Sequence, residues 1–401
     1  MSDRASGSAE RHPARPSGAT GRVSLVQVAA LAGVSGQTVS RVVNGSARVD
    51  PATRTRVEEA MAELGYRPNR AARALRTGRT GLVGVVVTTL ATVGNSRMLQ
   101  AVVEKAADRG YGVTVATVAG PEGVASAFAR LRAQGVDGAI VLNEASALAS
   151  GAIPDDVPAA IVDAPPGEAA AATISSRHRE GARAAVAHLS ALGHRRIVHL
   201  AGPEGSYAAA EREAGWREGL AAARDRMPPV ADSPRVDHDG APAAASRGRA
   251  PIDAAHAEVD AASRPACRPV DEAAGDPGGP QLTRGDWSAD SGFAAAEAIA
   301  ASGATAVFSA NDQMALGLIR GLGERGIEVP RDVSVVGFDD VPDAANYRPP
   351  LTTVHQDFPE LAARAVDALL AQIEAPGALR HDTVPAPLVA RESTASARRI
   401  A

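Results

Sequence analysis

The sequence predicts an α/β protein in which two doubly wound parallel-sheet lobes follow a small all-α domain. Three observations lead to this prediction. Two short helical patterns flank Gly33-Val34, apolar runs of strand length alternate with helical stretches from Thr80 onward, and the charge changes sign between these two parts. Apolar strands separated by helices are typical of parallel sheets covered on both faces.

The composition of the 401-residue chain fits a packed globular protein with two or three domains. Cys267 is its one cysteine, which excludes an internal disulfide framework and a zinc site built from several cysteines. No apolar run reaches the roughly 18 residues that span a membrane, and the first twenty residues lack the apolar core of a secretory signal. We therefore expect a cytoplasmic protein without membrane contact.

Positive charge is concentrated near the start of the chain. Between positions 22 and 79, ten arginines face four acidic residues, a net charge of +6, whereas residues 80–401 carry −11. A basic end on an acidic body is typical of a small nucleic-acid-binding module attached to a domain with another task.

Residues 23–67 predict a helix-turn-helix DNA-binding domain behind a disordered tail, 1–22. Ser24 is a good N-cap for a first helix over 25–32, and a tight turn at Gly33-Val34 leads into a second helix that Ser35 starts and Asn44-Gly45 stops. Two short helices joined by a glycine-containing turn place the second one in the DNA major groove.

The second helix has side chains suited to reading bases, and a third helix, from Asp50-Pro51 to Gly65, closes the small core. Gln37 can pair bidentately with adenine, and Arg41 can reach guanine or a phosphate. The predicted DNA-contacting residues of the second helix are Ser35, Gly36, Gln37, Thr38, Ser40, Arg41 and Asn44.

Residues 68–79 are rich in alanine and arginine but have almost no apolar face. A short isolated helix is unstable in water, so we expect a hinge helix that folds only on DNA. Asn69 would then contact DNA, and Leu75 would be an apolar wedge in the minor groove. A plain flexible linker is the alternative.

Residues 80–394 predict the two-lobed core. The N-lobe is expected at about 80–175 and 356–383, and the C-lobe at about 176–355 and 384–392, before a tail at 395–401. A proline-rich stretch without aromatic residues, about 228–281, predicts a disordered insertion. Ligand sites of such folds lie at the carboxyl ends of the strands.

At Val34-Ser-Gly-Gln-Thr-Val-Ser-Arg-Val-Val-Asn44 the chain resembles the LacI/GalR family of bacterial transcription repressors. The likeness continues through segments 61–69, 193–197, 200–203, 285–289, 310–317, 335–340 and 349–358, and so covers nearly all of 23–394. It implies a DNA headpiece, a hinge helix and a periplasmic-binding-protein-like, sugar-binding core. A small ligand between the lobes would shift the lobe nearest the DNA and separate paired hinge helices.

The resemblance also implies which residues bind the sugar. Planar polar side chains bridge neighbouring hydroxyls, and an aromatic ring covers the apolar face of a sugar. Arg212 would donate to two hydroxyls and Trp287 would provide the ring. The expected ligand-binding residues are Thr88, Thr89, Asp163, Arg212, Trp287, Asn311, Asp339, Gln356 and Phe358.

Each of these residues also has a structural explanation. Asn311 and Asp339 follow strands and could be helix N-caps, Arg212 could be a surface ion-pair partner, and Trp287 could simply be core. Their joint occurrence at strand ends, in the order of the family motifs, favours the sugar site.

These features predict a repressor of a carbohydrate-utilisation operon that leaves a pseudo-palindromic double-stranded operator when a β-galactoside or galactose-like sugar binds. A family member carries a DNA-contacting tyrosine at the position of Gly36, so we expect a different operator sequence here. No leucine heptads follow Thr394, which favours a homodimer.

Other functions fit the sequence less well. The effector could be a different glycoside or a co-repressor. A soluble sugar-binding protein would need an export signal and no headpiece. An enzyme is not expected, because the glycine pattern of 321–326 ends a helix instead of opening one after a strand. His188, His194 and His199 lack companions at metal-ligand spacing, so we expect no metal and no cofactor.

Overall fold

The computed structural model describes residues 23–67, 74, 78–149, 151–165, 171–225, 281–377 and 379–398. They belong to two compact units that divide between Thr80 and Gly81. Asn69, Leu75 and positions 228–280 of the predicted insertion lie outside the described residues. Position 281, the end of that insertion as predicted, is described: the carbonyl oxygen of Gln281 accepts from His199 N at 3.1 Å.

The first unit contains three short helices: α1 (Leu25–Ala32), α2 (Gly36–Val43) and α3 (Pro51–Leu64). Each begins at the predicted N-cap, because the side chains of Ser24, Ser35 and Asp50 accept hydrogen bonds from the backbone three residues on. Their core is formed by Val28, Ala29, Ala32, Val39, Val42, Val57 and Ala60. Such a small core fixes α2 against its neighbours and leaves its other face free.

The second unit contains two six-stranded sheets. The first has the strand order β11-β5-β4-β3-β1-β2, and every pairing in it is parallel. Its strands are β1 (Leu82–Val87), β2 (Gly112–Thr117), β3 (Gly138–Leu142), β4 (Ala159–Val162), β5 (Ala172–Ser176) and β11 (His381–Val384). The helices of this lobe are α4 (Val93–Asp108), α5 (Pro121–Ala133), α6 (Glu144–Ala149) and α11 (Phe358–Glu374).

The second sheet has the order β12-β10-β9-β8-β6-β7, and only the β10–β12 pair is antiparallel. Its strands are β6 (Ile197–Ala201), β7 (Leu282–Arg284), β8 (Ala306–Ser309), β9 (Ser334–Asp339), β10 (Thr352–His355) and β12 (Leu388–Val389). Its helices are α7 (His178–Ala191), α8 (Tyr207–Asp225), α9 (Ala289–Ala301) and α10 (Asp312–Gly323), with a short 3-10 helix at Pro342–Asn346. The predicted fold class is confirmed.

Each sheet has helices packed on both faces, so its central strands β3, β4, β6, β8 and β9 are fully buried, whereas the edge strands β2, β7 and β12 are partly exposed. Among the described residues, no helix is long and apolar enough to cross a membrane. Asp163, Asn311 and Asp339, three of the predicted ligand-binding residues, lie at or just beyond the carboxyl ends of β4, β8 and β9.

Helices α9 and α10 pack together through glycines. A Cβ on Gly317 would lie 1.7 Å from the carbonyl oxygen of Ala289, and one on Gly292 would lie 2.0 Å from that of Met314. A residue with a Cβ fits at neither position without separating the helices. This close approach holds the start of α10, and with it Asn311, against the segment that carries Trp287.

We expect Gly317→Ala to lower the free energy of unfolding by about 2 kcal/mol or more, because the added methyl must push backbone atoms apart. Gly323→Ala, on the same helix, is the matched control, since a Cβ there meets nothing within 4 Å. Urea unfolding followed by circular dichroism compares the two. If both variants were equally stable, α9 and α10 would not depend on glycine at position 317 for their close packing.

Candidate functional site

The free face of α2 is the candidate DNA-binding surface. Gln37, Arg41 and Asn44 are exposed and recur at helical spacing on one side, opposite the buried Val39 and Val42. A helix of this kind presents long polar side chains to a groove while its apolar side holds it to the unit.

Other predicted DNA-contacting residues have structural tasks as well. Ser35 Oγ accepts from Thr38 N at 3.2 Å and caps the helix, while Asn44 Nδ2 donates to the carbonyl oxygen of Ser40. A Cβ on Gly36 would lie 3.2 Å from Leu25 Cδ2. Gln37 and Arg41 are therefore the residues of α2 best placed to read bases.

A small cavity between the two sheets is lined by residues of both lobes. Its volume is about 40 Å³, enough for a few water molecules but too small for a sugar ring. Seven of the nine predicted ligand-binding residues line it: Asp163, Arg212, Trp287, Asn311, Asp339, Gln356 and Phe358.

Arg212 lies at the centre of this cleft and is 4% exposed. Its guanidinium donates to the carbonyl oxygen of Ala310, lies 3.5 Å from Asp339 Oδ1 and stacks 3.9 Å from the ring centre of Phe338. Trp287 lies on another side, with its ring centre 5.4 Å away. The guanidinium is thus held by aromatic rings and by groups that a ligand hydroxyl could replace.

Asp339 is the buried carboxylate opposite Arg212, and Gln356 Nε2 donates to it at 2.6 Å. Burial raises the pKa of Asp339 against the opposing effect of Arg212, and burial lowers the pKa of Arg212 against the opposing effect of Asp339. Both shifts show that mutual attraction does not fully offset the cost of burying these charges. The pair is therefore a weak source of stability.

Asn311 and Trp287 are joined by a hydrogen bond. Asn311 Nδ2 donates to the carbonyl oxygen of Trp287 at 3.0 Å, and its Oδ1 accepts from Met314 N at 2.9 Å as the N-cap of α10. The structural explanation of Asn311 thus holds alongside its place in the cleft. Trp287 Nε1 is buried without a hydrogen-bond partner in the described residues, which leaves an unused donor at the cleft.

Backbone strain is concentrated around the cleft. Among the described residues, five non-glycine residues have positive φ: Asn143 (49°), Asp163 (59°), Trp287 (73°), Asp339 (113°) and Asp340 (51°). Four of them line the cavity, and Asp340 directly follows the last of these four. Each such conformation costs about 1–3 kcal/mol and is typical of sites where side chains are held for a ligand.

His178 connects the two lobes at this cleft. Arg212 Nε donates to His178 Nδ1 at 3.3 Å, so the proton of the neutral ring lies on Nε2, which donates to Asp163 Oδ1 at 2.8 Å. Asp163 follows β4 of the first sheet, whereas His178 begins α7, which packs on the second sheet. The orientation of Arg212 is thereby linked to a residue of the other lobe.

Comparison with known proteins identifies the family. Residues 24–69 match "Bacterial regulatory proteins, lacI family", and residues 270–394 match "Periplasmic binding protein-like domain". The lactose operon repressor of Escherichia coli (strain K12) is 36% identical over 379 residues, which are 93% of this chain and 91% of that protein. The chain belongs to the lacI family.

Solved structures of lacI-family proteins share its architecture. The lac repressor dimer bound to operator and the anti-inducer ONPF is 35% identical, with a TM-score of 0.69 over 94% of this chain and 100% of that one. The complex of the transcriptional regulator CelR with cellobiose is 30% identical, with a TM-score of 0.59 over 93% and 100%. The chain is thus a DNA-binding transcriptional repressor. Since its relatives are regulators and not enzymes, the prediction that it is not an enzyme is confirmed.

The structure does not bring all predicted residues of this lacI-family cleft together. Thr88 and Thr89 are not among the residues that line the cavity. Thr89 instead serves its own loop: its Oγ1 accepts from Ala91 N at 3.0 Å, and its carbonyl oxygen accepts from Asn95 Nδ2. The start of α4 forms this part of the wall.

Sequence reasoning missed several residues of the cleft. Asn143 and Glu144 follow β3 and could have been found from the rule that ligands bind beyond strand ends. Asn95 and His178 carry no such signal, because their importance depends on contacts with distant loops. Asp312 was also missed; it does not line the cavity but lies behind it, where it accepts from Thr353 Oγ1 at 2.5 Å and from Val341 N at 2.9 Å, and burial, with the nearby charge of Asp339, raises its pKa.

A larger cavity of about 910 Å³ lies at the far end of the second sheet, beside the start of β6. Its walls include Arg224 and Gln281, which stand near either end of residues 226–280. It contains none of the predicted site residues.

Proposed function

We propose that this lacI-family repressor binds a two-fold operator as a homodimer and leaves it when a sugar binds between its lobes. The proposed release by sugar rests on one observation. Asp163 of the first lobe and Arg212, Trp287 and Asp339 of the second line one cavity, which is the donor, acceptor and aromatic set that a sugar requires.

The exposed Gln37 and Arg41 support the proposed operator binding. A single helix of this length reads only a few base pairs, so useful affinity needs two headpieces on a pseudo-palindromic site. The relative described as a dimer bound to operator supports the same arrangement. Because a repressor must meet its operator, we also propose that the protein acts in the cytoplasm, at the nucleoid.

The closed cleft supports a mechanism of release. A cavity of about 40 Å³ cannot hold a sugar, so binding requires that the lobes or their side chains move. Sugar hydroxyls would replace the bonds of Arg212 to Ala310 and His178. Since His178 also binds Asp163 of the other lobe, this exchange would favour a different arrangement of the lobes.

The effector that we propose is a β-galactoside or a galactose-like sugar, on the similarity to the lactose operon repressor. The relative in complex with cellobiose makes a different glycoside the second candidate. A galactoside and a glucoside would both fit the donors and acceptors of the cleft, because galactose and glucose units differ only in the orientation of one hydroxyl.

Titration of the full chain with a panel of sugars tests the proposal. Calorimetry measures binding, and fluorescence anisotropy of an operator fragment selected from random duplexes measures release. We expect at least one neutral sugar to bind and to weaken operator affinity. Tighter operator binding in its presence would identify a co-repressor instead, and binding of no sugar would contradict the proposal.

Arg41→Ala should weaken operator binding by about 10- to 100-fold, because one bidentate base contact contributes about 1–3 kcal/mol. Affinity for a scrambled duplex at the same salt concentration should fall far less. Arg56→Ala, an exposed arginine on α3, is the control and should affect both duplexes similarly and weakly. Equal losses on both duplexes in Arg41→Ala would reduce Arg41 to a phosphate contact.

A further inference from the structure

The first-lobe wall of the cleft carries a group of polar side chains outside the predicted sugar site. Asn95 lies in the first turn of α4, while Asn143 and Glu144 directly follow β3. All three line the cavity. They face a space whose opposite side is formed by Arg212 and Asp339 of the other lobe.

Asn95 organises this group and is 1% exposed. Its Nδ2 donates to the carbonyl oxygen of Thr89 at 3.0 Å and to Glu144 Oε2 at 3.4 Å, while its Oδ1 accepts from Asn143 Nδ2. A buried amide that uses both ends internally positions its neighbours and has little capacity left for a ligand. Asn95 is therefore a positioning residue.

The hydrogen bonds of Asn95 also determine which polar atoms of Asn143 and Glu144 remain available to a ligand. Asn143 directs its amide nitrogen toward Asn95, and Glu144 directs one carboxylate oxygen there. Within the described residues, no hydrogen bond to Asn143 Oδ1 or Glu144 Oε1 is formed. Two acceptors thus remain at this end of the cleft. The positive φ of Asn143, 49°, is a strained conformation that fits a group held for binding.

The charges of the cleft also limit the chemical class of the ligand. Three carboxylates, those of Asp163, Asp339 and Glu144, line the cavity with a single guanidinium, that of Arg212. The charge of Glu144 is among those that oppose the lowering of the Arg212 pKa by burial, so the two residues interact across the cleft. An excess of carboxylates disfavours anionic ligands such as sugar phosphates and favours neutral groups that donate hydrogen bonds.

We propose that Asn143 and Glu144 form a second subsite that accepts hydrogen bonds from the hydroxyls of a second sugar unit. The effector is then a neutral disaccharide, and a monosaccharide or an alkyl glycoside binds more weakly. This inference rests on the proposed function, in which Arg212, Asp339 and Trp287 hold the first unit.

Matched ligand pairs test the subsite. Lactose and methyl β-galactoside form one pair, and cellobiose and methyl β-glucoside form the other. Calorimetry on the full chain should show that, for the pair that binds, the disaccharide binds about tenfold or more tightly than its methyl glycoside, since each charged hydrogen bond adds a factor of this size.

Glu144→Leu should remove most of that difference, lowering disaccharide affinity about tenfold while the methyl glycoside changes less than about twofold. Glu144→Gln keeps one acceptor oxygen and should give an intermediate ratio. Glu122→Gln, an exposed residue in the first turn of α5, is the control. Thermal unfolding of each variant shows that the protein is folded.

The outcomes separate this inference from the proposed function. If a sugar binds and binding requires Arg212, but Glu144→Leu lowers the affinities of both members of a pair equally, only the second subsite is overturned. If the methyl glycoside binds the unaltered protein as tightly as the disaccharide, the subsite is also overturned. If no sugar of either pair binds but another sugar of the panel does, the second subsite is overturned and the sugar response stands; if no sugar of the panel binds, both are wrong.

Discussion

Arg212→Leu should abolish the response to sugar while operator binding remains intact. The substitution removes the donors at the centre of the cleft, which bond Ala310 and His178 and lie 3.5 Å from Asp339. Truncation of a buried, hydrogen-bonded charge costs about 2–5 kcal/mol of binding free energy, or roughly 30- to 5,000-fold in affinity. Calorimetry with the sugar and anisotropy with the operator fragment measure the two effects separately.

Two further variants make this result specific. Arg217→Leu, one helical turn further along α8, removes an exposed arginine that pairs with Glu213 and should leave the sugar response unchanged. Arg212→Lys keeps the charge but loses the planar fork of donors. We therefore expect its sugar affinity to lie between those of Arg212→Leu and the unaltered protein. Release by sugar in Arg212→Leu, at concentrations that release the unaltered protein, would place the ligand site elsewhere.

The helices of the headpiece could be predicted closely because their ends are determined locally. Ser24, Ser35 and Asp50 cap the helices that they were expected to cap, and Gly65 ends α3 in a left-handed conformation. Such signals depend on residues three or four positions apart, and distant parts of the chain do not alter them. The strands β3 and β4 were equally clear, since each is one of the uninterrupted apolar runs of strand length beyond Thr80.

Five strands could not be predicted from local sequence patterns. β5 (Ala172–Ser176) is fully buried although serine and threonine make up most of it, because neighbouring strands satisfy its backbone. β7 and β12 have three and two residues, too few for any periodicity. β10 and β11 contain polar residues at alternate or successive positions. Their strand conformation depends on pairing with distant segments, which local patterns do not encode.

The cleft residues that lie at strand ends could be predicted from the sequence. Asp163 and Asp339 were expected from their strands, and parallel topology brings such ends to one edge of each sheet. Thr88 and Thr89 satisfy the same rule, yet the first turn of α4 occupies the wall in their place. His178 could not be found in this way, because its role depends on Arg212 and Asp163 meeting across two lobes.

Gly202→Ala should weaken sugar binding although no predicted ligand-binding residue is replaced. A Cβ at Gly202 would lie 2.2 Å from Trp287 Cη2 and 2.5 Å from Cζ2, so the rigid ring must leave its position. Loss of an aromatic wall that covers the apolar face of a sugar costs about 2 kcal/mol, or roughly thirtyfold in affinity. Gly323→Ala, where the added methyl meets nothing, is the matched control.

Tryptophan fluorescence can follow the ring itself, because the chain has only two tryptophans. Trp216 is fully buried, and its Nε1 donates to the carbonyl oxygen of Ile197 at 3.2 Å. A Trp216→Phe background therefore leaves Trp287 as the sole reporter. We expect its emission to change when sugar binds and to shift to longer wavelength in Gly202→Ala, as the ring becomes exposed to water. Unchanged emission and unchanged sugar affinity in Gly202→Ala would show that the cleft does not depend on the position of this ring.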